Sequence, residues 1–353
     1  MSGDGRRRGL RAARSLRAAG WLVLLILSAC GKGEVEPWRL QGTTMGTTWS
    51  VRLPKASVAE ARLAELKAGI QDTLDRVDLD MSTYIEESSL SRFNRTPKGE
   101  WYLVSPEMAD VVRKAMAISI QSEGAYDITV GPLVDLWGFG PERGPDRVPT
   151  DEEIAAALKK VGNRNIAVRR DPPALRKSVE GLEIDLSSIA KGHGVDRVAE
   201  WLDEQGLTAY LIEVGGEIRT RGERQEGTAW RVAIEKPTKG GRAVHRLLSM
   251  TDLALATSGD YRNFFELGGE AYSHTIDPKT GRPVKHALTS VSVVAQTCAL
   301  ADGWATAIEA LGPEAGFEIA ESESIAALLL IRNGDTIQER RTKAFDALFP
   351  SEG

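Results

Sequence analysis

Residues 209–214, Ala209-Tyr-Leu-Ile-Glu-Val214, begin a series of short β-rich segments that continues at Trp230–Ile234, Leu253–Thr257, Tyr272–Ile276 and Val291–Ala295. Branched and aromatic residues dominate these runs and turn residues separate them, as expected of strands. Trp38–Leu53 reads as a further strand, interrupted at Thr44-Met45-Gly46-Thr47. The stretch between differs. Leu63, Leu66, Ile70, Leu74 and Val77 recur at helical spacing. Ser105-Pro106-Glu107 gives a second helix its cap and first-turn proline, and Gly124 stops it. Thr150 with Glu153 forms a capping box for a third, which stops at Gly162. Leu182–Leu186 predicts a short strand leading into a helix that ends at Gly206. A helix over about Ala299–Leu311, a segment Pro313–Glu321 and a hairpin around Asn333-Gly334 close the chain. Helices and strands mix without regular βαβα alternation, so the fold class is α+β rather than a doubly wound sheet.

The chain has 353 residues, 42% hydrophobic and 27% charged, which excludes a disordered or collagen-like protein. A net charge of −5 provides no excess of basic residues for a nucleic-acid backbone. Two cysteines permit at most one disulfide and no all-cysteine zinc site, and four histidines do not favour a multi-histidine metal centre.

The N-terminus is unlike the rest. Arg6, Arg7, Arg8, Arg11, Arg14 and Arg17 precede the apolar run Trp21–Leu27, the pattern of an export signal too short to span a membrane. The run ends in Leu27-Ser28-Ala29-Cys30, which resembles a bacterial lipobox. That resemblance implies cleavage before Cys30 and lipid on its thiol and new amine; the alternative is an ordinary signal peptide in which Cys30 is incidental. Residues 1–29 are thus expected to be a lipoprotein signal, 30–37 the lipidated cysteine and tether, and 38–350 a single domain. The leader holds six arginines and one aspartate, so removing it shifts the net charge from −5 to −10. The other cysteine, Cys298, follows an apolar strand pattern and reads as a buried, inert thiol.

No Walker loop and no Gly-x-Ser-x-Gly elbow occurs, and Gly138–Gly144 has the wrong spacing for a dinucleotide fingerprint. Six other segments are candidates for chemistry, each with an ordinary alternative. Gly42–Thr47 offers small hydroxyls and open backbone to a ligand, or is a β-bulge. Met81–Tyr84 with Ser88–Asn94, and the aromatic loop Gly124–Gly140, suit a planar ring or the core. Ile184–Asp196 brings an aspartate, small residues at a helix start and Lys191, which together suit an anion; the alternative is a cap and a solvated lysine. Thr257–Tyr261 is followed by Ser273–Gly281, where His274 is a candidate or merely a satisfied polar residue before the good turn sequence Asp277–Gly281. Asp302 and Thr306 share one helix face and suit a hard cation such as Mg2+. Alternatively Asp302 complements the helix dipole and Thr306 bonds back along the helix.

Taken in order, Thr44–Thr47, Met81–Tyr84 through Asn94, Tyr126–Val134 with Leu136–Gly140, Asp185–Asp196, Val214-Gly-Gly-Glu217, Thr257–Tyr261, His274–Pro278 and Ala301-Asp302 through Thr306 resemble the ApbE family of FAD:protein FMN transferases. The match spans roughly residues 40–311. It implies a single domain with mixed, mainly antiparallel sheets, packed helices and an FAD cleft between its two halves. It also implies that Met45, Tyr84, Ala125, Tyr126, Asp127, Asp185, Lys191 and Ile276 line the site for FAD, the substrate. Asp302 and Thr306 match the Mg2+ ligands, with Ser188 near the metal through its carbonyl; His274 matches a histidine beside the reacting phosphates. The Ser187-Ser188 pair stands where many relatives have glycine, a mild departure. The implied reaction is Mg2+-dependent transfer of FMN to a threonine hydroxyl of a flavoprotein, with release of AMP. Implied partners are membrane-anchored subunits of redox-driven ion pumps, of the Na+-translocating NADH:quinone reductase or Rnf type, met at the periplasmic face of a bacterial membrane. The alternatives are an FAD pyrophosphatase giving FMN and AMP, or a non-catalytic flavin-binding lipoprotein.

Overall fold

Thr44 and Thr47 end two paired strands, β1 (Trp38–Thr44) and β2 (Thr47–Leu53), and Met45 and Gly46 are the whole connection between them. Both have positive φ, 45° and 70°, as a two-residue type I′ turn requires. The interruption in the sequence is therefore a turn and not a β-bulge. The structure is a computed structural model that describes residues 35–141, 147–237, 243–259, 264–267 and 270–350. The leader with Cys30, and Asp260-Tyr261 of the fifth motif, lie outside the described residues.

Six further strands extend the hairpin: β3 (Tyr210–Val214), β4 (Glu217–Arg221), β5 (Ala254–Ser258), β6 (Leu288–Ala295), β7 (Ala326–Asn333) and β8 (Thr336–Arg341). They pair in chain order, every neighbour antiparallel, into an eight-stranded sheet. The remaining described strands form small separate sheets inserted between them, such as 166–170 with 173–177 and 230–235 with 244–250.

The sheet is buried on both faces at its centre. Along β7, Ala327 and Leu329 join one core cluster while Ala326, Leu328 and Leu330 join another. This explains why Ala326–Leu330 is apolar without alternation: successive side chains point to opposite faces, and both faces are covered. The helical side is covered by α1 (Leu63–Met81), α2 (Pro106–Gln121), α3 (Ala190–Glu204) and α4 (Cys298–Leu311). Leu66, Ile70, Leu74, Val77 and Met81 of α1 are buried at three- and four-residue spacing. Ser105 caps α2 by accepting from the Met108 amide, and Thr150 and Glu153 form the expected capping box at 151–158. Among the described residues no helix is long and apolar enough to cross a membrane.

Two expectations need correction. Leu182–Leu186 is not a strand. Its backbone is served by side chains: Asn94 donates to the Ile184 carbonyl and accepts from the Ile184 amide, both at 2.9 Å. The buried Lys177 ammonium donates to the carbonyls of Asn94 and Leu182 at 2.6 and 2.9 Å. Backbone groups of an extended segment can thus be hydrogen-bonded without a neighbouring strand. Cys298 does not lie in strand context either; β6 ends at Ala295 and Cys298 opens α4, buried and unpaired, with burial pushing its thiol pKa up.

Candidate active site

The hairpin turn Gly215-Gly216 joins β3 to β4 with φ of 62° and 110°, and the next residue, Glu217, points into the core beside α3 and α4. Glu217 and Asp302 are each only 3% exposed. Lys191, in the first turn of α3, lies between them: its ammonium is 3.1 Å from one Glu217 oxygen and 3.7 Å from Asp302 Oδ1. The other Asp302 oxygen accepts from the Gly192 amide at 3.0 Å. Glu217 Oε2 is buried with no hydrogen-bond partner.

Burial dominates the electrostatics here because it penalises each charge. It raises the Glu217 and Asp302 carboxyls above their ordinary range, against the pull of Lys191. Burial also works to lower Lys191, but the Asp302 and Glu217 carboxylates outweigh it and the ammonium is held charged. One cation among two carboxylates leaves an excess of buried negative charge when both ionise.

Hydroxyls adjoin this cluster. Thr306, one turn beyond Asp302, donates to the Asp302 carbonyl at 3.3 Å and lies 3.3 Å from the Ser258 hydroxyl. Thr306 therefore does bond back along its helix. Asp302 has a different job from dipole compensation, because Asp196 caps α4. Tyr126 OH pairs with Ser188 Oγ at 2.9 Å; burial, with Asp302 and Asp185 nearby, raises its pKa and keeps it a neutral phenol. Asp185 Oδ1 accepts from the Ser187 amide at 2.8 Å, and the Asp185 amide donates to Ile128 O at 2.7 Å.

A second group flanks the first. Tyr84, 68% exposed, donates from its hydroxyl to the Phe139 carbonyl at 3.2 Å. The Phe139 ring meets His274 edge-on, centroids 6.5 Å apart. Partial burial, and then Asp185 and Asp135, raise the Tyr84 pKa, which ties this group to the first. Ile276 is buried beside Trp137 and Leu133, in a short strand packed on α4. Met45, at the β1–β2 tip, packs against two core clusters close to Gly194 of α3.

One candidate carboxylate near this place is already engaged within the chain. Asp127 accepts from the Thr129 amide and hydroxyl at 2.8 and 2.7 Å and from the Asn163 amide at 2.8 Å, so its side chain is committed to holding a turn. Beside it, Ala125 is buried and follows two residues of positive φ, Glu123 and Gly124. A cavity of about 240 Å3, lined by His193, Asp196 and Thr297 among others, lies elsewhere and includes none of the candidate residues. Glu217, Ser258 and Asp196 had no role assigned from sequence. The sequence signal for Glu217 was weak: it follows the apolar strand Tyr210–Val214 and a Gly-Gly turn, but the strand it opens, Glu-Ile-Arg-Thr-Arg, is largely charged.

Among the described residues no group of three or more His, Cys, Asp or Glu is arranged to hold a metal ion. The available donors are the Asp302 and Glu217 carboxylates with hydroxyl and carbonyl oxygens, a set suited to Mg2+ rather than to a soft metal.

Known proteins match this chain over nearly all of it. The family model described as "ApbE family" matches residues 45–329. A Vibrio cholerae protein named FAD:protein FMN transferase is 43% identical over 330 residues, 92% of this chain and 97% of that protein. An Escherichia coli K12 protein of the same name is 41% identical over 315 residues, 89% of each. The structure titled "Flavin Transferase ApbE from Vibrio cholerae" matches with a TM-score of 0.81 and 42% identity, covering 89% of this chain and 99% of that one. The apo form of a Pseudomonas stutzeri flavinyl transferase ApbE gives 0.80 and 36%, covering 89% and 97%.

Proposed function

Because the chain belongs to the ApbE family, we propose that it transfers FMN from FAD to a threonine hydroxyl of a target flavoprotein, with Mg2+ as the required cation and AMP as the leaving product. It is an enzyme of the FAD:protein FMN transferase type. The names of its relatives support flavin transfer from FAD. The cation, the threonine and the AMP rest on the sequence resemblance and on the chemistry of the residues.

One observation carries the reading: the buried Lys191–Glu217–Asp302 cluster sets two carboxyls around one ammonium, so it has excess negative charge once both ionise, and it adjoins the Thr306 and Ser258 hydroxyls. A pyrophosphate entering such a place adds more negative charge, and uncompensated buried charge is expensive. The donors fit a hard cation, with Asp302 and Thr306 holding it and the Ser188 carbonyl close by. Bound Mg2+ would neutralise the pyrophosphate and stabilise the charge that develops as AMP leaves.

The chain's own residues then position and polarise. Lys191 adds a fixed positive charge that its two carboxylate partners keep protonated. Tyr126 remains a neutral phenol and orients Ser188. The acceptor threonine oxygen forms a bond to the FMN-side phosphorus while the bond to the AMP phosphate breaks, and His274 or an acidic neighbour takes the hydroxyl proton. Met45, Tyr84, the Ala125–Asp127 turn, Asp185 and Ile276 line the flavin cleft in this reading, Asp127 contributing through backbone. Water in place of threonine would make the same residues an FAD pyrophosphatase. Export, a lipid on Cys30 and flavoprotein subunits of redox-driven ion pumps as acceptors belong to the same proposal.

The test is to incubate the protein with FAD, Mg2+ and a threonine-containing acceptor domain, with an acceptor carrying Thr→Ala as control. Covalent FMN on the first acceptor alone, read by mass and fluorescence, is the expected result. Free FMN and AMP without labelled acceptor would reassign the chain as a hydrolase. Tight FAD binding with neither product would leave only a binding role.

A further inference from the structure

Asp196 is a buried acidic residue unused by the reaction as described above. Its Oδ1 accepts from the Cys298 amide and its Oδ2 from the Ala299 amide, both at 2.9 Å. The side chain of Thr297, the residue that precedes α4, makes no cap bond. The first amides of a helix have no partner within it. The first two of α4 are therefore satisfied from α3, by a carboxylate that also complements the positive end of the α4 dipole.

The exchange runs both ways. Gly192 is the third residue of α3, so its amide too lacks an intrahelical partner, and it donates to Asp302 of α4 at 3.0 Å. Gly192 and Asp196 are four apart on α3 and share a face. They engage positions 298–299 and 302 of α4, also about one turn apart. Two contacts separated by a turn on each helix fix both the rotation and the axial position of α4 against α3. The helices are close enough that a Cβ at Gly192 would lie 2.4 Å from the Cys298 carbonyl oxygen. Asp196 also pairs with Arg219 at 2.5 Å. Arg219 lies two residues after Glu217 on β4, hence on the same side of the strand. One carboxylate thereby joins the three elements that supply Lys191, Asp302 and Glu217.

We infer that Asp196 is a positioning residue for flavin transfer: it holds α4 in register with α3 and β4, and so sets where Asp302 and Thr306 present their oxygens. This rests on the reading that Asp302 and Thr306 hold the cation.

The test compares Asp196→Asn, Arg219→Met and Asp302→Ala with the parent chain. An asparagine has one acceptor oxygen, and its amide would face a helix N–H or the Arg219 guanidinium, donor against donor. Mn2+ binding is measured calorimetrically, FAD binding by flavin fluorescence, and transfer as a function of Mg2+ concentration. For Asp196→Asn, Mn2+ affinity is expected to fall and the Mg2+ needed for half-maximal transfer to rise by about tenfold, the lower end for outer residues around a metal. FAD affinity is expected to change far less. A purely structural role would lower the melting temperature and the active fraction without moving the Mg2+ half-saturation. Arg219→Met leaves both cap bonds in place and is expected to shift Mg2+ half-saturation in the same direction by less, which keeps the test available if Asp196→Asn does not fold. Unchanged Mn2+ affinity and Mg2+ half-saturation in the folded variants would overturn the inference. Asp302→Ala separates the two levels: Mn2+ binding equal to the parent's in that variant would refute the cation reading itself.

Discussion

Gly192→Ala tests the contact between α3 and α4 most directly. The added Cβ would lie 2.4, 2.7 and 2.9 Å from the carbonyl oxygen and carbon of Cys298 and the Cα of Ala299. All three are backbone atoms, so no side chain can rotate away, and the helices must separate by about 1 Å to restore ordinary contact in a close-packed interior. Two effects compete. Alanine is favoured over glycine within a helix by about 0.5–1 kcal/mol. Overpacking a tight interface costs about 1–3 kcal/mol. A shift of about 1 Å also stretches the 3.0 Å bond from the Gly192 amide to Asp302, and a hydrogen bond to a charged group is worth about 1.5–3 kcal/mol. The costs exceed the gain, so the variant should lose roughly 1–3 kcal/mol of stability. Urea unfolding at an unchanged m-value would read this as a lower midpoint. Metal-dependent transfer should fall as well, because Asp302 loses the donor that orients it. A variant as stable as the parent or more so, with full activity, would show that helix propensity wins and that the two backbones are not in limiting contact.

Asp302→Ala should abolish Mg2+-dependent transfer while leaving the far-UV circular dichroism unchanged; retained turnover would remove Asp302 from the metal role. The raised carboxyls of Glu217 and Asp302 set a pH dependence: the folded chain keeps protons there that the unfolded chain has released, so stability falls as pH rises from the ordinary carboxylate range through the folded values. Mg2+ binds the ionised form, so its stabilising increment in thermal melts should be larger near pH 8 than near about pH 5, and equal increments would contradict the cluster as its site. Met45→Asn keeps a residue that tolerates positive φ in the β1–β2 turn but removes the thioether from the cores it touches. FAD binding measured by fluorescence quenching should weaken with the hairpin intact, whereas unchanged affinity would remove Met45 from the flavin site.

Much of this chain is legible locally. The caps at Ser105 and Thr150, the spacing of Leu66, Ile70, Leu74 and Val77, and the interruption at Met45-Gly46 each depend on a few neighbouring residues. The ordered motifs from Thr44 to Thr306 were enough to identify the family resemblance, since their residue types and order are read directly from the chain. Other features depended on long-range partners. Leu182–Leu186 has strand composition but no adjacent strand, and Asn94, ninety positions before Ile184, takes the place of the ladder. Ala326–Leu330 is uniformly apolar because helices and an inserted hairpin cover opposite faces of one antiparallel sheet, which no local period reveals.

The sequence by itself determined the α+β class and the residue types of the site, because composition, periodicity and turn chemistry are local quantities. Only the tertiary structure decided how those residues share charge. It enclosed Glu217 with Lys191 and Asp302, gave the Asp127 carboxylate to a turn, and placed Asp196 at the start of a helix 102 residues away. A side chain's protonation and its freedom to bind depend on burial and on which groups the folded chain sets beside it. Sequence distance does not carry that information.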